Sequence, residues 1–268
     1  MIGIDIGRKG VKLYTIDKRI TFPSAVGEWR ERKLGTGGNY ELEYQDKKYF
    51  VGDLAEESYC QREMTTESKI HEETLLLFLT AIAISGESNV TIGLPVSQHD
   101  ENTKLRYKSL LEGQHFVGLN NAPKKEYIVK VGVVAESTGV YWNEILNNKG
   151  ELIKDSFNTE RIIDVGSRTI NYCTIKNRKY IDRESGTLQY GTIDLGNAGD
   201  MYFEQFARKI VADLSKVWSK PYLTLISGGG GMILFDYLKP HFDCRLVEDP
   251  IFANAKGFYK MGVASCGK

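Results

Sequence analysis

Cysteine and proline are both scarce in this chain, with four and six among 268 residues. The cysteines, Cys60, Cys173, Cys244 and Cys266, stand far apart, and no C-x-x-C brings two of them together. That spacing argues against a disulfide framework, so reduced thiols in a cytoplasmic protein are expected. Charge of one sign is lacking too: Lys plus Arg and Asp plus Glu both total 35. A surface that grips nucleic acid through phosphates usually carries a basic excess, so no direct nucleic-acid binding is expected. The most apolar stretch, LLLFLTAIAIS from Leu75 to Ser85, is too short for a bilayer and is bracketed by Glu72, Glu73 and Glu87. It reads as a buried helix, and no membrane partner is predicted. The N-terminus has no charged region ahead of an apolar one, so no secretory leader is expected.

Several catalytic signatures are also missing. His71, His99, His115 and His241 show no metal-ligand spacing. There is no G-x-S-x-G to present a nucleophile and no G-x-x-x-x-G-K-[ST] to cradle a nucleotide in the Walker manner.

What is present is an alternation of short β-rich runs and helical patterns. Strands are predicted over Ile2–Ile6, Val11–Ile16, Lys48–Val51, Val90–Leu94, Tyr127–Val133, Arg161–Val165, Thr169–Ile175 and Tyr222–Ile226. Helices are predicted near Ile70–Ile84, Asn102–Leu111, Glu136–Leu146, Asp200–Trp218 and Met232–Leu238. This alternation gives an α/β class. Gly150-Glu151 and the polar run from Lys154 to Glu160 mark a seam between two halves.

One device occurs in both halves. GIDIGRKGVKLY, Gly3 to Tyr14, runs an apolar strand into Asp5, places Gly7 two residues on, and returns through Gly10 and Lys12. IIDVGSRTINYCTI, Ile162 to Ile175, repeats the order with Asp164 and Gly166. A single D-x-G turn is ordinary turn chemistry, but two at the ends of apolar hairpins point to a shared ligand. A third turn, LISGGGGMILFDYL from Leu225 to Leu238, sets Gly228, Gly229, Gly230 and Gly231 between a strand and a helical pattern. Glycines there let the main chain approach a ligand, and the helix start offers unpaired amides.

At these places the chain resembles the bacterial actin-like ATPases, above all the ParM and AlfA type that segregates plasmids. VVAESTGVYW (Val133 to Trp142) and FANAKGFYKMG (Phe252 to Gly262) resemble the two connecting helices of that family. KYFVGDLA (Lys48 to Ala55) and TIGLPVSQH (Thr91 to His99) are similar to its first-domain strand motifs. The resemblance covers most of the chain and implies a duplicated, ribonuclease H-like fold of two domains with nucleotide in the cleft between them. The implied domains are residues 1–135 with 253–268, and residues 136–252, joined at a hinge. The lid subdomain of the family would be reduced or absent, since 176–224 leaves room for a strand or two, a turn (GTIDLGNAGD) and one long helix.

The resemblance also assigns a chemistry, with ATP and Mg²⁺ as cofactors and GTP left open. Phosphoryl transfer needs neutralised phosphates, a placed cation and an aligned water. Asp5 and Asp164 would hold Mg²⁺ through waters, and Glu136 would orient the attacking water. The structural alternative for Glu136 is a helix-start carboxylate facing the macrodipole. Lys12 would reach the phosphates, and Arg8 and Lys9 would add positive charge, although a solvated turn accounts for those two equally well. Ser167, Arg168 and Thr169 lie on the second hairpin, where Ser167 and Thr169 either contact phosphate or shape the turn. Gly7, Gly10, Gly166 and Gly228 to Gly231 complete the nucleotide contacts. The implied partners are further copies of the chain in a helical filament, and a DNA-binding adaptor on a centromere-like plasmid site. Two alternatives stay open: a non-polymerising regulatory ATPase, and a small-molecule kinase similar to type III pantothenate kinases. The latter usually carry Asn-Thr where this chain has Arg8-Lys9.

Overall fold

A computed structural model describes residues 1–33, 40–63, 68–154, 158–196 and 199–266. The chain opens with three antiparallel strands, β1 (Ile2–Ile6), β2 (Gly10–Tyr14) and β3 (Arg19–Pro23). Four short strands follow: β4 (Ala25–Glu28), β5 (Tyr40–Tyr44), β6 (Lys47–Val51) and β7 (Gln61–Glu63). Helix α1 (Glu72–Ser85) is apolar on nearly every face and is buried, as its sequence predicts. Gly86 ends it in the left-handed region at φ 79°. Strand β8 (Asn89–Leu94) leads to α2 (Glu101–Leu111), whose N-terminus is capped by Asp100 accepting from the Thr103 amide at 2.9 Å. Strands β9 (Gly113–Leu119) and β10 (Lys125–Ala135) then give way to α3 (Thr138–Ile145).

The second half starts the same way. The hairpin β11 (Thr159–Val165) and β12 (Ile170–Lys176) is followed by the short β13 (Lys179–Tyr180) and β14 (Gly186–Leu188), both antiparallel to β12. After α4 (Asp200–Ser215) come β15 (Thr224–Ser227), α5 (Gly229–Leu238), β16 (Cys244–Leu246) and α6 (Ala253–Cys266). Between β12 and β15, then, lie two short strands, turns and one long helix, as the sequence leads one to expect. Residues 197 and 198 of the expected turn, and 155–157 of the seam, fall outside the described residues.

The two sheets carry the duplication. Among the described residues, one sheet runs β3-β2-β1-β8-β10-β9-β5-β6-β4-β7, and the other β13-β12-β11-β15-β16. In each, an antiparallel hairpin is extended by two parallel strands. The hairpin strand that pairs in parallel, β1 or β11, is buried along most of its length, which is why both read as near-continuous apolar runs. Side chains alternate across the second sheet, Ile162 packing with Val140 and Tyr141 of α3, and Ile163 with Ile210 and Leu234 of α4 and α5.

The helices that end the two halves change places. α3 follows the first sheet but packs on the second, while α6 follows the second sheet and packs on β1 and β8. They cross where Gly139 meets Gly257. A Cβ built on Gly257 would lie 1.8 Å from the Gly139 carbonyl oxygen, so only glycine permits that approach.

Candidate functional site: a cleft between two acidic hairpins

The tips of the two hairpins are built alike. The Gly7 amide donates to the Gly10 carbonyl at 3.1 Å, and the Gly166 amide donates to the Thr169 carbonyl at 3.0 Å. In register, Asp5 stands opposite Lys12, and Asp164 opposite Asn171. The Lys12 ammonium lies 3.7 Å from the Asp5 carboxylate.

The glycine run is a helix start rather than a free turn. α5 begins at Gly229, three residues before the expected Met232, because Gly228 reverses the chain at φ 82°. A Cβ on Gly228 would lie 2.3 Å from the Val165 carbonyl and 2.7 Å from Asp164 Oδ1. Absence of a side chain there brings the first turn of α5, with its unpaired amides, against the second hairpin. Gly228, Gly229 and Gly230 line the cleft; Gly231 is buried behind them.

Glu136 requires a correction. The sequence places it at the start of a helix, but β10 continues to Ala135 and the Glu136 amide extends the parallel ladder, donating to the Leu94 carbonyl at 2.7 Å. The β-branched run of β10 paired along β8 outweighs the helical pattern at this point. Ser137, at φ 68°, makes the turn, and α3 begins only at Thr138. Glu136 is therefore a strand-end carboxylate, and the helix-start alternative falls away. It is buried and fully engaged: Lys69 donates to Oε1, and the Asn171 side chain donates to Oε2 at 2.7 Å. The Asn171 carbonyl accepts from the Thr187 hydroxyl at 2.7 Å, which in turn accepts from the Ser97 amide at 3.2 Å.

Asp164 lies close to the other two carboxylates. Burial, together with repulsion from Asp5 and Glu136, pushes its carboxyl up to about 7, against the opposing pull of Asn254 and Lys12. Asn254, in the first turn of α6, donates to Asp164 Oδ2 at 2.7 Å, while its own Oδ1 is buried without a hydrogen-bond partner. Below this layer Tyr107 of α2 is fully buried and its hydroxyl has no partner. Burial and the charges of Glu136 and Asp5 hold its proton tightly.

These groups surround one cavity of about 510 Å³, a size suited to a small organic ligand. Asp5, Gly7, Arg8, Lys9, Gly10 and Lys12 line it from the first hairpin, and Gly166, Ser167, Arg168 and Thr169 from the second, with Asp164 and Glu136 between. Phe22, Pro23, Ile233, Pro250 and Ile251 add apolar surface. Lys69, Asn171 and Asn254 also line it, and sequence reasoning singled out none of the three. Asn254 lies inside the FANAKG stretch and Asn171 at the position matching Lys12, so both had a signal; Lys69, in the polar segment TTESKIHEE, had none. Among the described residues no three His, Cys, Asp or Glu side chains group closely enough to hold a metal ion directly, and no helix is long and apolar enough to cross a membrane. The arrangement can bind an anionic ligand through amides and lysines while its carboxylates face a hydrated cation. The unpartnered Asn254 oxygen is a ready acceptor for the water of such an ion.

A duplicated sheet pair with an acidic hairpin on each side of one cleft defines a class of fold, and comparison places the chain within it. The family model for the N-terminal domain of actin-like proteins matches residues 3–139, just over half the sequence. The chain belongs to the actin-like proteins. A sequence search of curated proteins gives no match. Among solved structures, the archaeal actin homolog Ta0583 superposes with a TM-score of 0.81 at 20% identity, covering 98% of this chain and 99% of that one. A subunit of the 15-stranded ParM filament from Clostridium botulinum gives 0.77 at 21% identity, covering 97% and 98%. The AlfA filament bound to AMPPNP gives 0.69 at 19% identity, covering 95% and 93%. At such identities the likeness is one of fold.

Proposed function

We propose that this protein is a nucleotide-driven, polymerising ATPase that forms filaments to segregate plasmid DNA. The observation that carries the reading is the convergence of two Asp-x-Gly hairpins and the glycine start of α5 on one cavity. Family membership supports it, as does the fold shared with filament subunits, one of them bound to AMPPNP. Residues 1–135 with 253–268 form one domain on this reading, and 136–252 the other, with the reduced segment 176–224 in place of a lid. The protein acts in the cytoplasm, assembles with itself, and reaches DNA through an adaptor rather than directly.

Each group has a task. Gly7, Gly10 and Gly166 let the hairpin main chain approach the phosphate oxygens, amides of the first turn of α5 bind them, and Lys12 adds a point charge. Arg8, Lys9 and Arg168 strengthen the positive rim, while Ser167 and Thr169 offer hydroxyls. Asp5 and Asp164 hold Mg²⁺ through its waters, assisted by Asn254. When bound, that ion supplies neutralisation of the charge that develops on the β- and γ-phosphates. Glu136 orients the attacking water, accepting from it rather than removing its proton outright. The apolar wall of Ile233, Pro250 and Ile251 suits the nucleotide's base; ATP is the expected ligand, with GTP admitted.

Sedimentation with ATP, with ADP and without nucleotide tests the reading. Pelleting that depends on nucleotide, with phosphate released, is the expected result. Phosphate appearing on a metabolite, with no pelleting at any salt concentration, would establish a small-molecule kinase instead. Nucleotide hydrolysis without assembly would identify a regulatory ATPase.

A further inference from the structure

We propose that Lys69 is a positioning residue for turnover, one that clamps Glu136 to the main chain of the first hairpin. The role rests on the hydrolytic reading above. Lys69 lies just ahead of α1, far in sequence from both hairpins, and only 4% of its residue surface is exposed. A lysine is rarely buried unless its ammonium is paired and hydrogen-bonded, because removing the charge from water is costly. This one is both. Its Nζ donates to the Ile6 carbonyl at 2.7 Å, next to Gly7 at the hairpin tip, and to Glu136 Oε1 in a buried ion pair.

The position also answers an electrostatic need. Asp5, Asp164 and Glu136 line the same cavity, so each needs a donor of its own. Lys12 pairs with Asp5, and Asn254 donates to Asp164. Glu136 receives its cation from Lys69 and an amide from Asn171, so each carboxylate oxygen has one donor and the plane of the carboxylate is fixed. Without Lys69 the Oε1 side would be free to rotate, while Ile6 would lose the ammonium held against its carbonyl. A water held by Glu136 would then be misaligned toward a phosphate held by the hairpin, because Lys69 is the direct link between the two. Misalignment of that kind slows the chemical step more than it weakens binding.

The test uses the full chain with Mg-ATP and compares wild type, Lys69→Met, Lys69→Arg, Glu136→Gln and the Lys69→Met/Glu136→Gln double variant. Steady-state phosphate release gives kcat and KM separately. Lys69→Met is expected to lower kcat by about tenfold or more while KM changes by less than about threefold, and Lys69→Arg to recover most of the loss. In the Glu136→Gln background, Lys69→Met should change kcat by less than about twofold, since the carboxylate that Lys69 positions is already gone. Equal losses from Lys69→Met in both backgrounds would overturn the proposal, as would a rise in KM with kcat unchanged. Should Lys69→Met alone fail to fold, the double variant removes both buried charges, and its comparison with Glu136→Gln decides the matter: a further fall in kcat overturns the role. A wild-type protein that releases no phosphate overturns the hydrolytic reading along with this one, whereas additive losses in an active enzyme overturn this one alone.

Discussion

The hairpins β1–β2 and β11–β12 share a main chain and differ in what stands opposite the acid. Both turn through the same glycine-closed loop, with nearly equal closing distances of 3.1 and 3.0 Å. Opposite Asp5 is a lysine, which forms an ion pair with it; opposite Asp164 is an asparagine, which turns away to hold Glu136. Asp164 is left with an amide from α6, and its carboxyl rises to about 7. The difference teaches that two like hairpins make a symmetric grip, whereas the residue at a single register position sets them apart. One hairpin sets a lysine beside its acid, and the other an asparagine that holds Glu136.

That division can be broken experimentally. The largest effect is expected at the carboxylate served by the second hairpin. Glu136→Ala should slow phosphate release by about 100-fold or more while filaments still assemble and persist. Unchanged hydrolysis, or rapid disassembly of that variant, would count against the assignment. Next, Asp164→Ala should weaken nucleotide binding by about 10- to 100-fold in the presence of Mg²⁺ and far less in EDTA. Isothermal calorimetry under both conditions checks this, and a loss equal in both would remove the metal from the account. Lys12→Asn, which gives the first hairpin the side chain of the second, should weaken nucleotide binding by about tenfold with or without Mg²⁺. No change in affinity would make Lys12 a partner for Asp5 only.

The smallest effect concerns stability. A carboxyl raised to about 7 in the fold, against 3.8 ordinarily, keeps a proton that the unfolded chain has already lost. Between those limits the native state binds more protons, so Asp164 makes stability fall as pH rises, and above the upper limit its cost is complete. Asp164→Asn should therefore raise the thermal midpoint of the nucleotide-free protein at pH 8, by about 1–2 kcal/mol of stability in a solvent-reached cleft, and change it little at pH 4. A stabilisation independent of pH would place the effect in packing instead.

How much of this was legible in the sequence follows from the range of each interaction. The hairpins could be read because their chemistry is local: an acid, a glycine two residues on and an apolar strand on each side. The glycine run was visible, but its exact helix start was not, since Gly228 turns only because β11 lies against it. Strands β3, β4, β5 and β9 escaped notice because they are short or studded with Arg, Glu, Gln and His; β3 and β5 do alternate, but over only five residues each. Glu136 was identified as a residue and misplaced in its element, because parallel pairing with β8 carries the strand further than the local pattern does. Lys69 was invisible for a simpler reason. In a polar stretch a lysine reads as solvated, and only the fold reveals that 67 residues of chain bring Glu136 to it.

The crossing of α3 and α6 has a consequence for motion. Side chains that interlock resist turning, because rotation must force them out of their rotamers. At Gly139 and Gly257 backbone rests on backbone, so the closest contact has no side-chain teeth. If the halves swing about this contact when nucleotide enters, it can serve as a smooth bearing, and a single methyl group added at either glycine would jam it.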